Sequence, residues 1–277
     1  MLFRTNKKQD VNDINPDERV TGVENYTVLM QAIINNDIQT VHRCFRAKPN
    51  LELQDREGRT ALHLAVIEKN EQAVILLLFL GAQINGVDYD DFTPLMYAAQ
   101  AGDASLVDTL LDFKADVHYM NYMEQRTALF YAVQSNSLES VSHILAADSQ
   151  DLNQLDRYGS SPLELAIDEE NQAMVSLLIR NGAVVDVTIF QYAIGCGAAG
   201  AVELLFSHLP SLSEEVIFSA IETLKARFTE YFQAQPRDDF DYYNAAERME
   251  QGYLAMLNFF YDKGYQLDGV TTSSPSL

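Results

Sequence analysis

A pattern of five residues recurs in this chain after 33 residues. Thr60 is followed at that distance by Thr93, and four more positions match in the same register. They are Leu62 and Leu95, Ala65 and Ala98, Val74 and Val107, and Leu77 and Leu110. One match would mean little, but five in one register indicate an internal repeat. A period of about 20 to 50 residues is typical of folds built from stacked units.

The repeated segment predicts a turn, a helix, a second turn and a second helix. Thr60 and Thr93 are suited to cap the first helix, because a threonine oxygen accepts a hydrogen bond from a free backbone N–H. Pro94 fits the first helical position, where its missing N–H costs nothing. Gly102 suits the turn between the helices, and Gly81 suits a left-handed end to the second helix. Such a unit cannot bury its apolar face alone, so neighbouring units must stack.

The segments GRTALHLAV and DFTPLMYAA resemble the signature of the ankyrin repeat, a turn and two helices with a T-P-L-H-x-A core. His63 matches the motif histidine, and the resemblance implies that it hydrogen bonds between neighbouring loops and caps. Other residues stand at this place in the remaining repeats. They are Met30, Met96, Phe130, Glu164 and Gln191. We therefore expect a weaker polar network there and lower local stability.

The register extends through six repeats, in which six alanines and six valines align. The alanines are Ala32, Ala65, Ala98, Ala132, Ala166 and Ala193, and the valines are Val41, Val74, Val107, Val141, Val175 and Val202. After the fourth repeat, ADSQDLNQL departs from the usual turn, and Thr188 follows Ser161 by only 27 residues. The resemblance implies an all-α ankyrin-repeat solenoid of about six helix-turn-helix repeats over residues 25–209.

The segments on either side of the repeats lack this pattern. Residues 1–24 are polar and are interpreted as an N-terminal arm or cap. Residues 210–268 predict a helical C-terminal cap or divergent repeat, with a loop between a first helix and a last helix from about Ala245 to Tyr261. In the first of these helices Ser213 can serve as cap, and one face is apolar. That face carries Ile217, Ala220, Ile221, Leu224 and Phe228. Residues 269–277 are expected to be a disordered tail.

The formal net charge of −21 opposes binding to nucleic acid or anionic lipid, which requires clustered Lys and Arg. The acids either solvate the surface or steer a partner with a basic surface.

The apolar run AVILLLFLGA is too short to span a membrane, and no secretory signal is visible. Cys44 and Cys196 are too few for a disulfide framework, so we expect two buried core residues in a protein of the reducing cytoplasm. We also expect a monomer.

Sequence patterns for catalysis, cofactors and metals are weak. GCGAAG, with glycines at 195, 197 and 200, fits a dinucleotide fingerprint, but no second strand follows and the register predicts an inter-helix turn. The five histidines form no pair with metal-ligand spacing, and no nucleophile elbow, P-loop or HExxH is present. The acidic segments DYDD at 88–91 and DDFD at 238–241 are interpreted as exposed charge rather than calcium loops. We expect no catalytic, cofactor or metal site.

In the ankyrin family the turn tips and the inner faces of the first helices line a concave groove, and the resemblance implies that a partner binds there. The matching tip residues are Arg56, Glu57, Arg59, Tyr89, Asp90, Phe92, Met123, Arg126, Arg157 and Tyr158. The matching helix ends include Gln100, Gln134 and Asp168. Tyr, Phe, Met and Arg are enriched at interfaces. For Tyr89, Phe92 and Tyr158 the alternative is packing between adjacent tips.

The resemblance thus implies a protein–protein interaction scaffold that performs no covalent chemistry. Two alternatives stay open. The chain can be a secreted microbial effector that uses its repeats to bind a host protein in the host cytoplasm. It can also be a small enzyme whose activity lies in the C-terminal helical region, 213–265, where DDFDYY and Glu247 supply acids but no recognisable constellation.

Overall fold

The computed structural model describes residues 14–20, 25–209, 212–233 and 240–265. Within these ranges the regular elements are helices, accompanied by one isolated antiparallel bridge between Arg19 and Thr27. The chain divides into two compact units, residues 1–151 and 152–277, and each is described by itself.

The first unit contains four helix pairs. They are α1 Val28–Ile34 with α2 Ile38–Arg46, α3 Ala61–Ile67 with α4 Glu71–Phe79, α5 Pro94–Gln100 with α6 Ala104–Asp112, and α7 Ala128–Gln134 with α8 Leu138–Ala147. The helices of each pair pack together, and α1, α3, α5 and α7 pack in sequence, each on the next. The α6 helix packs on α8. This arrangement confirms the predicted all-helical repeat.

The core of the first unit consists of the side chains that recur in the repeat. We call the first helix of each pair the inner helix and the second the outer helix. Ala65 and Ala98 on inner helices are buried, as are Val74 and Val107 on outer helices. An alanine at the inner position lets neighbouring helices approach closely, and the branched valine fills the space between an inner and an outer helix. The periodic positions of the sequence are therefore the packing positions of the stack.

The ends of these helices carry the predicted caps. The Thr93 hydroxyl oxygen accepts a hydrogen bond from the backbone N–H of Met96 at 3.3 Å, and Pro94 occupies the first turn. Gly81 and Gly102 have φ angles of +89° and +63°, in the left-handed region that follows a helix end. The cap and turn predictions at these positions are confirmed.

Residues 14–20 lie against the first repeat. The Asp17 carboxylate accepts a hydrogen bond from the backbone N–H of Asn50 at 2.9 Å. The Arg19 guanidinium donates to the carbonyl oxygen of Gln54, also at 2.9 Å. These contacts are of the kind that a terminal cap makes, while the other residues of 1–24 lie outside the described ranges.

A 3₁₀ helix, Gln150–Asn153, occupies the segment predicted to depart from the usual turn. The second unit then contains α9 Pro162–Asp168, α10 Gln172–Arg180, α11 Val187–Cys196, α12 Ala199–Phe206, α13 Glu214–Gln233 and α14 Phe240–Asp262. The α11 helix packs on α9 and α12 packs on α10. In turn α13 packs on α11 and α14 on α12, so the two long helices stand where a further repeat would stand.

The apolar face predicted for the first C-terminal helix is present in α13, where Ile217, Ala220 and Ile221 are buried. The side chains of Leu224 and Phe228 lie outside the described ones, as do residues 269–277.

Two helices of the second unit begin earlier than the sequence indicates, since the repeat register puts Thr188 at the cap position of one and the last helix is predicted from about Ala245. Asp186, not Thr188, caps α11, and its carboxylate accepts a hydrogen bond from the N–H of Ile189 at 3.0 Å. Aspartate is a stronger cap than threonine, so the helix begins two residues earlier and Thr188 lies inside it. The α14 helix begins at Phe240 rather than near Ala245. No proline or glycine between these positions prevents that extension.

The two cysteines lie in different environments. Cys44 is buried as predicted, and burial raises the pKa of its thiol to about 11. Cys196 is exposed, so its prediction as a core residue is wrong. It is the last residue of α11, followed by left-handed Gly197, and the chain turns away from the core there.

Candidate functional site

Four of the described turn tips are built around a buried carboxylate or amide, from Asp55, Asp88, Asn121 and Asp156. Asp55 Oδ1 accepts hydrogen bonds from the backbone N–H groups of Glu57 and Arg59, both at 2.9 Å. Asp88 and Asp156 make the same pair of bonds in their own tips. An aspartate that accepts from backbone N–H groups a few residues ahead fixes the conformation of a turn. These hydrogen bonds therefore hold the backbone of each of these tips in a defined conformation.

The tips of the first unit are also joined to one another. The Tyr89 N–H donates to the carbonyl oxygen of Glu57 at 2.9 Å, which connects the tip of the third repeat, before α5, to the tip of the second repeat, before α3. The Tyr122 N–H donates to Asp91 Oδ2 at 2.7 Å, which connects the fourth tip to the third. The hydroxyl of Tyr119 donates to the other oxygen of Asp91. These bonds form a continuous row of tips.

Three large side chains project from this row. Tyr89 is 72% exposed, Tyr122 is 82% exposed and Met123 is 56% exposed. The ring of Tyr89 lies over Gly58, where an added Cβ would come within 2.5 Å of Tyr89 Cδ1. Gly58 also has a φ of +80°, which glycine adopts without strain. The row thus presents exposed aromatic and sulfur-containing side chains on a backbone with fixed geometry.

Two arginines predicted to face a partner are held within the tips. Arg59 is ion-paired through Nε with Asp55 at 2.8 Å and through Nη1 with Glu57 at 2.6 Å, and its side chain is 15% exposed. The side chain of Arg126 is 14% exposed and lies 3.6 Å from the carboxylate of Glu124. Both arginine side chains are therefore largely buried, and their main contribution here is to the shape of the tips.

Phe92 is half-buried in an aromatic cluster with two tyrosines of the inner helices. Its ring centroid lies 5.3 Å from that of Tyr97 and 4.9 Å from that of Tyr131. The Tyr97 hydroxyl donates to Asp88 Oδ2 at 2.5 Å, and the Tyr131 hydroxyl donates to Glu124 Oε2 at 2.8 Å. Burial and these carboxylates raise the pKa of both phenols. Phe92 therefore packs against the helices α5 and α7, and its role at an interface stays a prediction.

The remaining predicted residues are at the surface. In the first unit, Arg56, Glu57, Tyr89, Asp90, Met123, Gln100 and Gln134 are exposed. The tip residues among them lie in the row just described, and Gln100 and Gln134 end α5 and α7. In the second unit, Arg157, Tyr158 and Asp168 are exposed. The hydroxyl of Tyr192 donates to both oxygens of Asp168, at 2.7 and 2.8 Å.

The sequence analysis missed Tyr122, Tyr97 and Tyr131. A signal for each was available in the repeat register. Tyr122 follows Tyr89 by 33 residues, and Tyr131 follows Tyr97 by 34. Recurrence of tyrosine at equivalent positions of adjacent repeats places the side chains side by side in the stack.

The glycines of GCGAAG serve helix packing in the second unit. Gly197 ends α11 with a φ of +77° and leads directly into α12. An added Cβ at Gly200 would come within 1.7 Å of Gln172 Nε2, and one at Gly252 would come within 2.4 Å of the Gly197 carbonyl oxygen. A cavity of about 260 Å³ adjoins these contacts. The interpretation of this motif as an inter-helix turn is confirmed.

The acidic segment DYDD is more than exposed charge. Asp88 is buried and Asp91 accepts the hydrogen bonds described above, so the prediction is wrong for Asp88, while Asp90 is exposed. Of DDFD, residues 238–239 lie outside the described ranges and Phe240 begins α14.

Across the described residues no three His, Cys, Asp or Glu side chains are grouped to hold a metal ion. No helix in the described ranges has the length and hydrophobicity required to cross a membrane.

The chain is similar to known repeat proteins. A family model described as "Ankyrin repeats (3 copies)" matches residues 3–88, 29–121 and 95–189. Tyrosine-protein kinase Shark of Drosophila melanogaster is 29% identical over 172 residues, covering 61% of this chain and 18% of the kinase. The mouse B-cell lymphoma 3 protein homolog is 30% identical over 173 residues, covering 59% of this chain and 38% of that protein. The match thus spans less than two fifths of either relative.

A solved structure shares the fold. The crystal structure of the ankyrin repeat domain of Bcl-3, a member of the IkappaB protein family, superposes with a TM-score of 0.61 at 28% identity. The match covers 67% of this chain and 87% of that domain.

Proposed function

Because this chain belongs to the ankyrin-repeat family, we propose that it is a protein-interaction scaffold whose partner binds the row of turn tips in the first unit. Ankyrin repeats bind other proteins, and the fold is typically a binding scaffold rather than an enzyme. The observation that carries the proposal is the exposure of Tyr89, Tyr122 and Met123 on tips held together by hydrogen bonds. Nothing in the fold requires large apolar groups at positions that face away from the core.

The rigidity of the tips favours binding. Side chains on a preformed surface lose less conformational entropy on association than those on a mobile loop. Tyrosine contributes a large apolar area with few rotatable bonds, and it is enriched among the residues that dominate binding energy. The ion pairs of Arg59 and the buried Asp55 and Asp88 support the proposal through the tip shape that they maintain.

The charge around these tyrosines supports a partner with a basic surface. Asp90 is exposed beside Tyr89, Glu57 is exposed there too although it is paired with Arg59, and the whole chain carries a net charge of −21. Lysine or arginine of a partner can pair with these carboxylates and lie over a tyrosine ring. The same net charge disfavours self-association, which supports a monomer. We propose that this monomer acts in the cytoplasm. Arg157, Tyr158 and Asp168 of the second unit are proposed to contact the partner separately.

The test is affinity capture from lysate with the native chain and with a Tyr89→Ala/Tyr122→Ala variant. Tyr261→Ala is the matched control, because Tyr261 is a similarly exposed tyrosine on α14. The proposal predicts a partner that is retained by the native chain and the control and lost by the double variant. A partner retained by all three would place the binding surface elsewhere. Circular dichroism should show equal helix content in all variants.

The electrostatic part of the proposal has its own test. Charge reversal by Asp90→Lys should weaken binding of the captured partner, and raising the salt concentration should weaken binding to the native chain. Unchanged binding in both experiments would show that these acids only solvate the surface.

A further inference from the structure

A groove lies between the outer helices of the first two repeats, at the C-terminal ends of α2 and α4. Its apolar lining consists of Phe45, Leu76, Phe79 and Leu80, and His42 and Arg46 form part of the α2 wall. The volume is about 320 Å³. Phe79 is 74% exposed and Leu80 is 50% exposed, although both are large and apolar.

The repeat does not require these two residues. The counterparts of Phe79 in the other repeats are charged, polar or small. They are Arg46, Asp112, Ala146, Arg180 and Ser207. Each of these helices packs on the first helix of its own repeat, as α4 packs on α3, and the residue at this position is exposed in all of them. Phe79 also contacts Phe113 of the next repeat edge to face, with ring centroids 5.2 Å apart, which extends the apolar surface.

The positive charge of Arg46 on α2 indicates which chemical group a ligand of the groove should carry. The side chain of Arg46 makes no hydrogen bond or ion pair with any residue that the structure describes. The chain has 19 Lys and Arg against 40 Asp and Glu, so a free arginine beside an apolar groove is unlike most of its surface. A guanidinium pairs most strongly with a carboxylate, through two parallel hydrogen bonds.

We propose that this groove binds a short segment of an acidic protein, with apolar side chains against Phe79 and Leu80 and a carboxylate on Arg46. An apolar side chain seated between two helices, with a charged pair at the rim, is a common arrangement in the recognition of peptide segments. The groove is built from the outer helices, whereas the row of tips is built from the turns. The chain therefore has two interfaces, and this second interface does not depend on the proposed function of the tips.

The test uses a displayed library of random linear peptides, selected on the native full-length chain and on a Phe79→Asp/Leu80→Asn variant. Both replacements are residues found at the equivalent positions of other repeats, Asp112 and Asn181, so the variant should fold. Peptides recovered only by the native chain should combine Leu, Ile or Phe with adjacent Asp or Glu. Recovery of no peptides, of peptides without acidic residues, or of the same peptides by both proteins would overturn the proposal.

Fluorescence anisotropy of a selected, labelled peptide then tests the role of Arg46. Arg46→Glu should weaken binding about tenfold or more, the loss expected for a charge-assisted pair. Arg180→Glu, at the equivalent position of the fifth repeat, should leave binding unchanged, as should Tyr89→Ala/Tyr122→Ala. Equal losses in Arg46→Glu and Arg180→Glu would contradict a specific contact. If sedimentation shows a native dimer that Phe79→Asp dissociates, the groove binds a second copy and the proposal is wrong.

Discussion

His63 Nδ1 lies 2.9 Å from the hydroxyl oxygen of Thr60, the residue that caps its helix. On the other side of the ring, Nε2 lies 3.1 Å from the carbonyl oxygen of Gly86 and 3.2 Å from that of Phe92. Since a carbonyl only accepts, the proton is assigned to Nε2. One buried side chain thus joins a helix cap of the second repeat to the loop and tip of the third, as the resemblance implied.

His63→Phe should lower the free energy of unfolding by about 1–3 kcal/mol, because the replacement leaves buried polar groups without a partner. Urea denaturation measures the change. The control is His143→Phe, since His143 is only partly buried and pairs with Asp108 at the surface. A change within about 0.5 kcal/mol is expected for the control. Equal effects of the two replacements would contradict the role assigned to His63.

Thr127 and Thr93 should respond differently to replacement by valine. Phe130 occupies the place of His63 in the fourth repeat, and Thr127 Oγ1 is buried with no hydrogen-bond partner among the residues that the structure describes. Thr127→Val should therefore be neutral or stabilising. Thr93→Val removes the bond to the Met96 N–H and should cost about 1 kcal/mol. Thermal or urea unfolding separates the two, and a larger loss for Thr127→Val would show that its hydroxyl does have a partner.

His63 should make stability depend on pH. Burial lowers the pKa of His63 below its ordinary 6.5. Below pH 6.5 the unfolded chain binds a proton that the folded chain excludes, so stability should fall as the pH decreases through 6.5. Unfolding measured on both sides of that pH should show this slope, and His63→Phe should reduce it. A slope that survives in His63→Phe would assign the effect to another group.

His118 should titrate in the opposite direction. Its Nδ1 lies 2.6 Å from Asp151 Oδ2, and this hydrogen bond raises the pKa of the imidazole above 6.5. The stabilisation from this pair is complete below pH 6.5 and is lost as the pH rises through the raised pKa. Histidine ring signals followed by NMR should show His118 titrating above His63. Asp151→Asn should lower the His118 midpoint, and an unchanged midpoint would contradict the contact.

Gly58→Ala and Gly159→Ala test the close contact beneath Tyr89. Both glycines have a φ of +80°, so both variants should lose about 1 kcal/mol to backbone strain. At Gly159 nothing lies within 4 Å of an added Cβ, whereas at Gly58 the Tyr89 ring must move. Gly58→Ala should therefore be less stable than Gly159→Ala and should also weaken partner binding. Equal stability and unchanged binding would show that the position of the Tyr89 ring does not matter.

Much of the fold follows from the sequence because the repeat imposes one packing rule several times. The alanine and valine positions could be predicted since each must be small or branched to fit between neighbouring helices. The start of α11 could not, because Asp186 and Thr188 both offer a capping oxygen and only their competition decides. The exposure of Cys196 likewise depends on where the chain leaves the core, which a periodic pattern does not specify.

The candidate site was predictable as a location but not in its side-chain contacts. The repeat register placed Arg59 and Tyr89 on neighbouring tips. Sequence alone does not show that Arg59 is already paired with two carboxylates while Tyr89 is free to meet a partner. That distinction depends on distances between residues of different tips. The partner itself is a property of a second molecule, and the sequence of one chain limits only its chemistry.

Site-specific photocrosslinking reports directly whether a partner protein contacts the row of tips. Benzoylphenylalanine in place of Tyr89, of Tyr122 or of the control Tyr261 preserves an aromatic ring at each site. We expect the captured partner to crosslink from positions 89 and 122 and not from position 261. Crosslinking from position 261 alone would contradict it and would place the interface on α14.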